Sequence, residues 1–214
     1  MRKSLLFFSL TVLAAVACNI LDEPYLTEVH ELTVSLPKVD NKQMYWQNGD
    51  VISAGNKTKS TSLSGVTSKT NTAVFTFENP VTAGAVVRFP AVEDASRIKI
   101  PSEIVTVPGQ LSEDAFPMFG TVALTGEQAP KLELRSVMAV FKLSVLGDAS
   151  ISKITVEAPA GESLNGMFNM SADGLSGIGN NGSKITEITF DTPVRLSANI
   201  TEIYVPIVPG SYSR

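Results

Sequence analysis

Val137-Met138-Ala139-Val140-Phe141-Lys142-Leu143-Ser144-Val145-Leu146 is the stretch that decides the fold class. Val137, Ala139, Phe141, Leu143 and Val145 alternate with Met138, Val140, Lys142, Ser144 and Leu146, a period of two that suits an extended chain and no helix. Because the intervening positions are partly apolar as well, the segment is expected to be a central strand covered on both faces. The same period recurs outward from it. Leu32, Val34 and Leu36 alternate with Thr33 and Ser35, and Ala73, Phe75 and Phe77 alternate with Val74 and Thr76. Further strands are expected at 51–54, 85–89, 119–124, 131–135, 152–157, 185–190 and 202–208. Asn48-Gly49-Asp50, Asn79-Pro80, Pro108-Gly109, Gly147-Asp148, Asp173-Gly174, Asn181-Gly182 and Pro209-Gly210 supply turns between them, since Gly and Asn tolerate positive φ and Pro presets its own. No amphipathic helix longer than two turns is visible. Many short strands without helical crossovers argue for an all-β, antiparallel sandwich, or two in tandem. Residues 55–72, dense in Thr and Ser, read as a mobile loop or weak hairpin.

The composition, 43% apolar and 18% charged, is that of an ordinary globular protein with enough apolar mass for a core. The N-terminus stands apart from it. Met1-Arg2-Lys3 is a basic start, followed by an apolar run from Leu5 to Ala17 that is broken only by Ser9 and Thr11 and ends in small residues. That is the pattern of a signal peptide over residues 1–17, too short for a comfortable membrane span. Once it is removed, 15 basic residues face 21 acidic ones. No Lys/Arg cluster remains to displace counterions from a phosphate backbone, so nucleic acid is not expected as a partner.

Ala15-Val16-Ala17-Cys18 resembles a bacterial lipobox, and Cys18 is the only cysteine. The alternative, a buried inert thiol, lacks a core at the end of an apolar leader. Cys18 is therefore the expected lipid attachment site, with residues 18–28 as a tether and the membrane as a partner. Each acyl CH2 contributes about 0.8 kcal/mol, so two or three chains hold the protein almost permanently. No disulfide can form within the chain. The acidic pair Asp22-Glu23 reads equally as a mark for export to the outer face or as a solvated tether.

Met44-Tyr45-Trp46-Gln47-Asn48-Gly49-Asp50-Val51-Ile52, Ala73-Val74-Phe75-Thr76-Phe77 and Tyr204-Val205-Pro206-Ile207-Val208-Pro209-Gly210, taken with the lipobox, resemble the fimbrillin-like proteins of Gram-negative gut and oral bacteria. The Trp-x-x-Gly-Asp-x-Ile run from Trp46 to Ile52 is the most recognisable piece, and the resemblance covers residues 29–214. It implies two tandem β-sandwiches of transthyretin-like type, here 29–145 and 146–214, in a surface lipoprotein of the outer membrane. It also implies assembly with other fimbrial subunits by strand exchange, in which one subunit's strand fills an apolar groove in the next. Leu32, Val34 and Leu36 on the first strand are the candidate groove residues. In relatives, a protease often removes that strand after an arginine. Here no arginine lies between Cys18 and Arg88, and Lys38 and Lys42 are the only basic residues near the strand's end. A permanently anchored or accessory subunit is therefore expected. Relatives also continue past the Pro-Gly turn that Pro209-Gly210 resembles, so the second sandwich is expected to be truncated.

Chemistry of other kinds finds little support. His30 is the only histidine, which leaves no His-based metal cluster and makes it an exposed or satisfied residue at a strand start. Neighbouring acids such as Glu93-Asp94 and Glu113-Asp114 point to opposite faces of a strand and suit solvated loops. Gly177-Ile178-Gly179-Asn180-Asn181-Gly182 has the glycines of a nucleotide loop without the β-α unit such a loop needs. Neither an enzyme nor a cofactor is expected. The second reading is a monomeric surface lipoprotein that binds a glycan or a host protein through its loops, for instance around 55–72; taken by itself, Trp46 offers a ring on which a sugar could stack. A Trp just before an Asn-Gly turn, however, more often packs on its own sandwich.

Overall fold

The computed structural model describes residues 27–55, 58–92, 97–111, 116–124, 130–159, 162–171, 174–176 and 182–209. The leader, Cys18, Asp22-Glu23, Glu93-Asp94, Glu113-Asp114 and positions 177–181 lie outside them. The described residues are all-β, without a helix, and most ladders are antiparallel.

One sheet is built on β1 (Glu28–Ser35), which lies between β6 (Thr72–Thr82) and β11 (Lys131–Glu133). The pairing is antiparallel to β6 and parallel to β11. A second sheet has the order β12 (Arg135–Ser136), β10 (Met118–Thr121), β7 (Val86–Phe89), β4 (Ser53–Ala54), β5 (Thr58–Lys59). The chain steps from one sheet to the other at Leu134, which is 1% exposed, and Ser60 bridges to Phe77 at the opposite corner. Apolar side chains of both sheets meet in one core, among them Leu32, Val34, Phe75, Val87, Phe89 and Met118. Each large side chain buried there contributes about 1.5–3 kcal/mol.

β15 (Gly166–Ser171) pairs with β8 (Arg97–Ile100) and β16 (Gly174–Ser176), and Ile98, Ile100, Phe168 and Met170 join the same core. β17 (Ile185–Arg195) lies between β14 (Ser150–Glu157) and β9 (Glu103–Val105), while β13 (Ala139–Val145) pairs with β18 (Thr201–Ile207). Ile188, Phe190, Ile203 and Val205 form a second, smaller core between these last strands. Three ladders thus cross position 145: β8 with β15, β9 with β17, and β13 with β18.

The structure exposes a duplication. Leu32-Thr33-Val34-Ser35-Leu36-Pro37 on β1 corresponds to Ile154-Thr155-Val156-Glu157-Ala158-Pro159 on β14. Likewise Thr76-Phe77-Glu78-Asn79-Pro80-Val81 on β6 corresponds to Thr189-Phe190-Asp191-Thr192-Pro193-Val194 on β17. The registers coincide. Leu32 faces Phe75 as Ile154 faces Ile188, and Val29 faces Val81 as Ile151 faces Val194. Both ladders break at the same place, between Val29 and Glu31 and between Ile151 and Lys153. Opposite each break lies Pro80 or Pro193, which has no N–H for the ladder.

One expectation needs correcting. β13 is no central strand: among the described residues its only ladder partner is β18, and Phe141 is 45% exposed. Its apolar residues on both faces arise because Val140 leans on the first core while Leu143 and Val145 lean on the second. Of the two readings of 55–72, the short hairpin is the one seen: β5 pairs antiparallel with β4, Ser53 opposite Lys59 and Ala54 opposite Thr58. Backbone bonds run from Trp46 N–H to the Thr70 carbonyl (2.9 Å), from Gly49 N–H to Leu63 (2.9 Å) and from Leu63 N–H to Asp50 (2.9 Å). The Asn48 side chain brackets Val66 by accepting from its N–H and donating to its carbonyl. Thr and Ser there leave the backbone free to pair with residues 46–50, a pairing that alternation alone does not reveal.

Candidate functional site

Past the register break between Val29 and Glu31, β1 points Leu32 and Val34 inward, both 0% exposed, and Leu36 just beyond its end continues the same face at 2%. Its odd-numbered residues turn their backbone toward β11: Thr33 N–H donates to the Pro130 carbonyl (3.1 Å) and Leu134 N–H to the Ser35 carbonyl (2.9 Å). The strand therefore fills a slot with a ladder on each side and core pockets beneath. All three groove candidates lie in that slot. Withdrawing them would expose about 1.5–3 kcal/mol of burial per side chain. The sum approaches the total stability of an ordinary domain, so the slot must be refilled as it is vacated.

Trp46 closes the floor of the slot. It is 2% exposed, its indole N–H donates to the Val34 carbonyl (3.1 Å), and Phe75 and Phe89 meet its ring edge-on at 4.8 and 4.9 Å. No ring face is left for a sugar. The rest of the Trp-x-x-Gly-Asp-x-Ile run is local architecture: Gly49 has φ +95, Asp50 Oδ2 accepts from Gln47 N–H (2.7 Å), and Ile52 is fully buried. The spacing thus describes a turn that returns the chain to the core after the Trp.

The exit from β1 is a feature the sequence reading missed. β2 (Lys38–Val39) and β3 (Lys42–Gln43) form a two-residue hairpin whose corner residues Asp40 and Asn41 have φ of 46° and 62°. Positive φ at both corner positions is the primed hairpin turn, and Asp-Asn between Val39 and Lys42 was its signal. Lys38 is exposed at this tip. Lys42 Nζ sits over the Tyr204 ring, 5.3 Å from its centre. The Tyr204 hydroxyl donates to Glu202 (2.6 Å), and Lys142 pairs with the same carboxylate at 3.4 Å. That hydrogen bond, then burial, pushes the Tyr204 pKa up to about 12, and it holds Glu202 below the ordinary carboxylate value with help from Lys142. An open cleft of about 470 Å³ lies beside the hairpin, lined by Lys38, Val39, Asp40, Arg135, Met138 and Val140.

Arg88, the first arginine after Cys18, is 6% exposed within β7 and offers no cleavage site. His30 is exposed at the β1 break, with its Nδ1–H donating to the Phe77 carbonyl (3.1 Å). Among the described residues no group of three or more His, Cys, Asp or Glu comes together to hold a metal. No protein-family model, curated protein or solved structure matches this chain.

Proposed function

We propose that the protein is a lipid-anchored anchor or accessory subunit of a fimbrium, held at the bacterial surface through Cys18 and assembled by strand exchange. One observation carries this reading. β1, the first strand after the tether, sits between two ladders with Leu32, Val34 and Leu36 in core pockets. Any extended segment with apolar residues at every second position could replace it residue for residue, with main-chain bonds giving affinity and the pockets giving register. A nick at the exposed hairpin tip of Asp40-Asn41, just past β1, would remove the tether and Cys18 together with that strand, so cleavage there is the signature of a stalk or tip subunit and not of an anchor.

The test is mass spectrometry of membrane-bound and shed protein from the native cell. An acylated Cys18 that copurifies with other β subunits is the result expected of an anchor. A new N-terminus after Lys38 or Lys42 in long polymers would make the protein a stalk or tip subunit. An acylated monomer without partners would sink the proposal. In parallel, Val34→Asp is expected to abolish incorporation into polymer, and normal incorporation would count against the groove.

A further inference from the structure

The cleft beside the β2–β3 hairpin is lined by groups that sort by depth. Val39 and Met138 are buried and Pro37 and Val140 half-buried, so its floor is a surface of methyl and methylene groups. Lys38, Asp40 and Arg135 also line it and are exposed, which puts the charges among its lining residues at the mouth. The peptide groups of Met138 are engaged within the chain: Ser136 Oγ accepts from the Met138 N–H (3.0 Å) and donates to the Met138 carbonyl (3.2 Å). Val39 likewise pairs with Lys42 across the hairpin. An occupant of the floor therefore meets hydrocarbon.

The mouth has the opposite sign to the protein. Two cations there stand against one acid, although acids outnumber bases 21 to 17 in the whole chain. Arg135 is also held in position, its guanidinium carbon 4.3 Å from the ring centre of Phe119, which is itself buried. Stacking uses the face of a guanidinium, whereas a carboxylate is recognised at its edge. The geometry points to this cleft as a binding site for a small aliphatic carboxylate, with its chain on Val39, Met138 and Val140 and its anionic head at Lys38 and Arg135. The single net positive charge of the mouth suits a monoanion better than a phosphate dianion. The volume, about 470 Å³, lies within the range of about 300–1,000 Å³ that small-molecule sites occupy. None of the three side chains that fill the β1 slot takes part, and the site stands whether or not subunits exchange strands.

The experiment uses the full chain, isotope-labelled at the methionine methyls, with octanoate as the probe and octanamide and acetate as controls. Octanoate should shift the Met138 methyl resonance saturably, while those of Met44 and Met118, enclosed in the first core, stay in place. The Met138 signal is identified by its loss in Met138→Leu. Octanamide keeps the chain without the charge and acetate the charge without the chain, and each should bind at least about tenfold more weakly. Lys38→Gln, at an exposed hairpin position, should weaken octanoate binding about threefold. Asp40→Asn removes the opposing charge, and Asn tolerates the φ of 46° there, so binding should tighten about twofold, a gain that a poorly folded variant could not produce. No shift at Met138, equal binding of octanamide, or an Asp40→Asn variant that binds no better would overturn the proposal. A peptide ending in leucine that binds more tightly than octanoate would assign the cleft to a protein terminus and also overturn it.

Discussion

Val34 and Val156 occupy the same place in two copies of one strand pair, and the same truncation should cost very different amounts at each. Val34→Ala removes two methyl groups from a side chain that is 0% exposed beneath a strand flanked on both sides. Transfer of those groups is worth about 0.8 kcal/mol each, and the cavity left in a core that cannot collapse adds about 1 kcal/mol. The expected loss is about 2–3 kcal/mol. Val156 is only partly buried against the second core, so its removal leaves a space that water refills, and about 0.5–1 kcal/mol should be lost. Trp46, the only tryptophan, donates its indole N–H to the Val34 carbonyl and so reports on the first core alone. In urea, with a slope of about 2 kcal/mol/M, Val34→Ala should lower the midpoint of the Trp46 emission change by about 1 M. Val156→Ala should leave that midpoint nearly unmoved and register only as a small change by circular dichroism. Equal losses, or a larger one at Val156, would refute the claim that Val34 is enclosed and Val156 is not.

Gly120 on β10 has space for nothing more: a Cβ there would lie 2.8 Å from Leu132 Cδ1 and 3.1 Å from the Glu133 carbonyl oxygen. Gly120→Ala should therefore force β10 and β11 apart and cost about 1–3 kcal/mol in thermal unfolding. Asn41→Val places a β-branched residue at φ 62° and should cost about 1–2 kcal/mol, whereas Asn41→Gly should be neutral; equal effects would argue against the primed turn. Tyr204, whose pKa is raised to about 12 by its bond to the Glu202 carboxylate, should contribute a tyrosine titration well above the ordinary value of 10 when absorbance is followed through alkaline pH. Because the folded pKa lies above the ordinary 10, the stability it lends is complete below about pH 10 and is lost as pH rises toward 12. Glu202→Gln should bring that titration down, and an unchanged curve would dissociate the two groups.

Period-two alternation in the sequence was enough to determine the fold class and most strand positions, because side chains on a strand must alternate between core and solvent whatever the neighbouring strand is. It also marked Leu32, Val34 and Leu36 as one inward face, while the Asn48-Gly49 turn that follows Trp46 marked that residue as part of its own core. The repeat linking Leu32-Thr33-Val34 with Ile154-Thr155-Val156 was legible but faint, since only the shared break opposite Pro80 and Pro193 makes its register visible. What the sequence by itself could not supply is adjacency. β8 and β9 have too few residues to show a period, and their partners β15 and β17 lie far along the chain. β13 reads as the most central strand and proves to be an edge, while β1 reads as an ordinary one and is flanked on both sides. Alternation reports which face of a strand is buried. Which edge is bonded depends on backbone groups that every residue carries alike, so only the tertiary structure decides where a further strand has room to add.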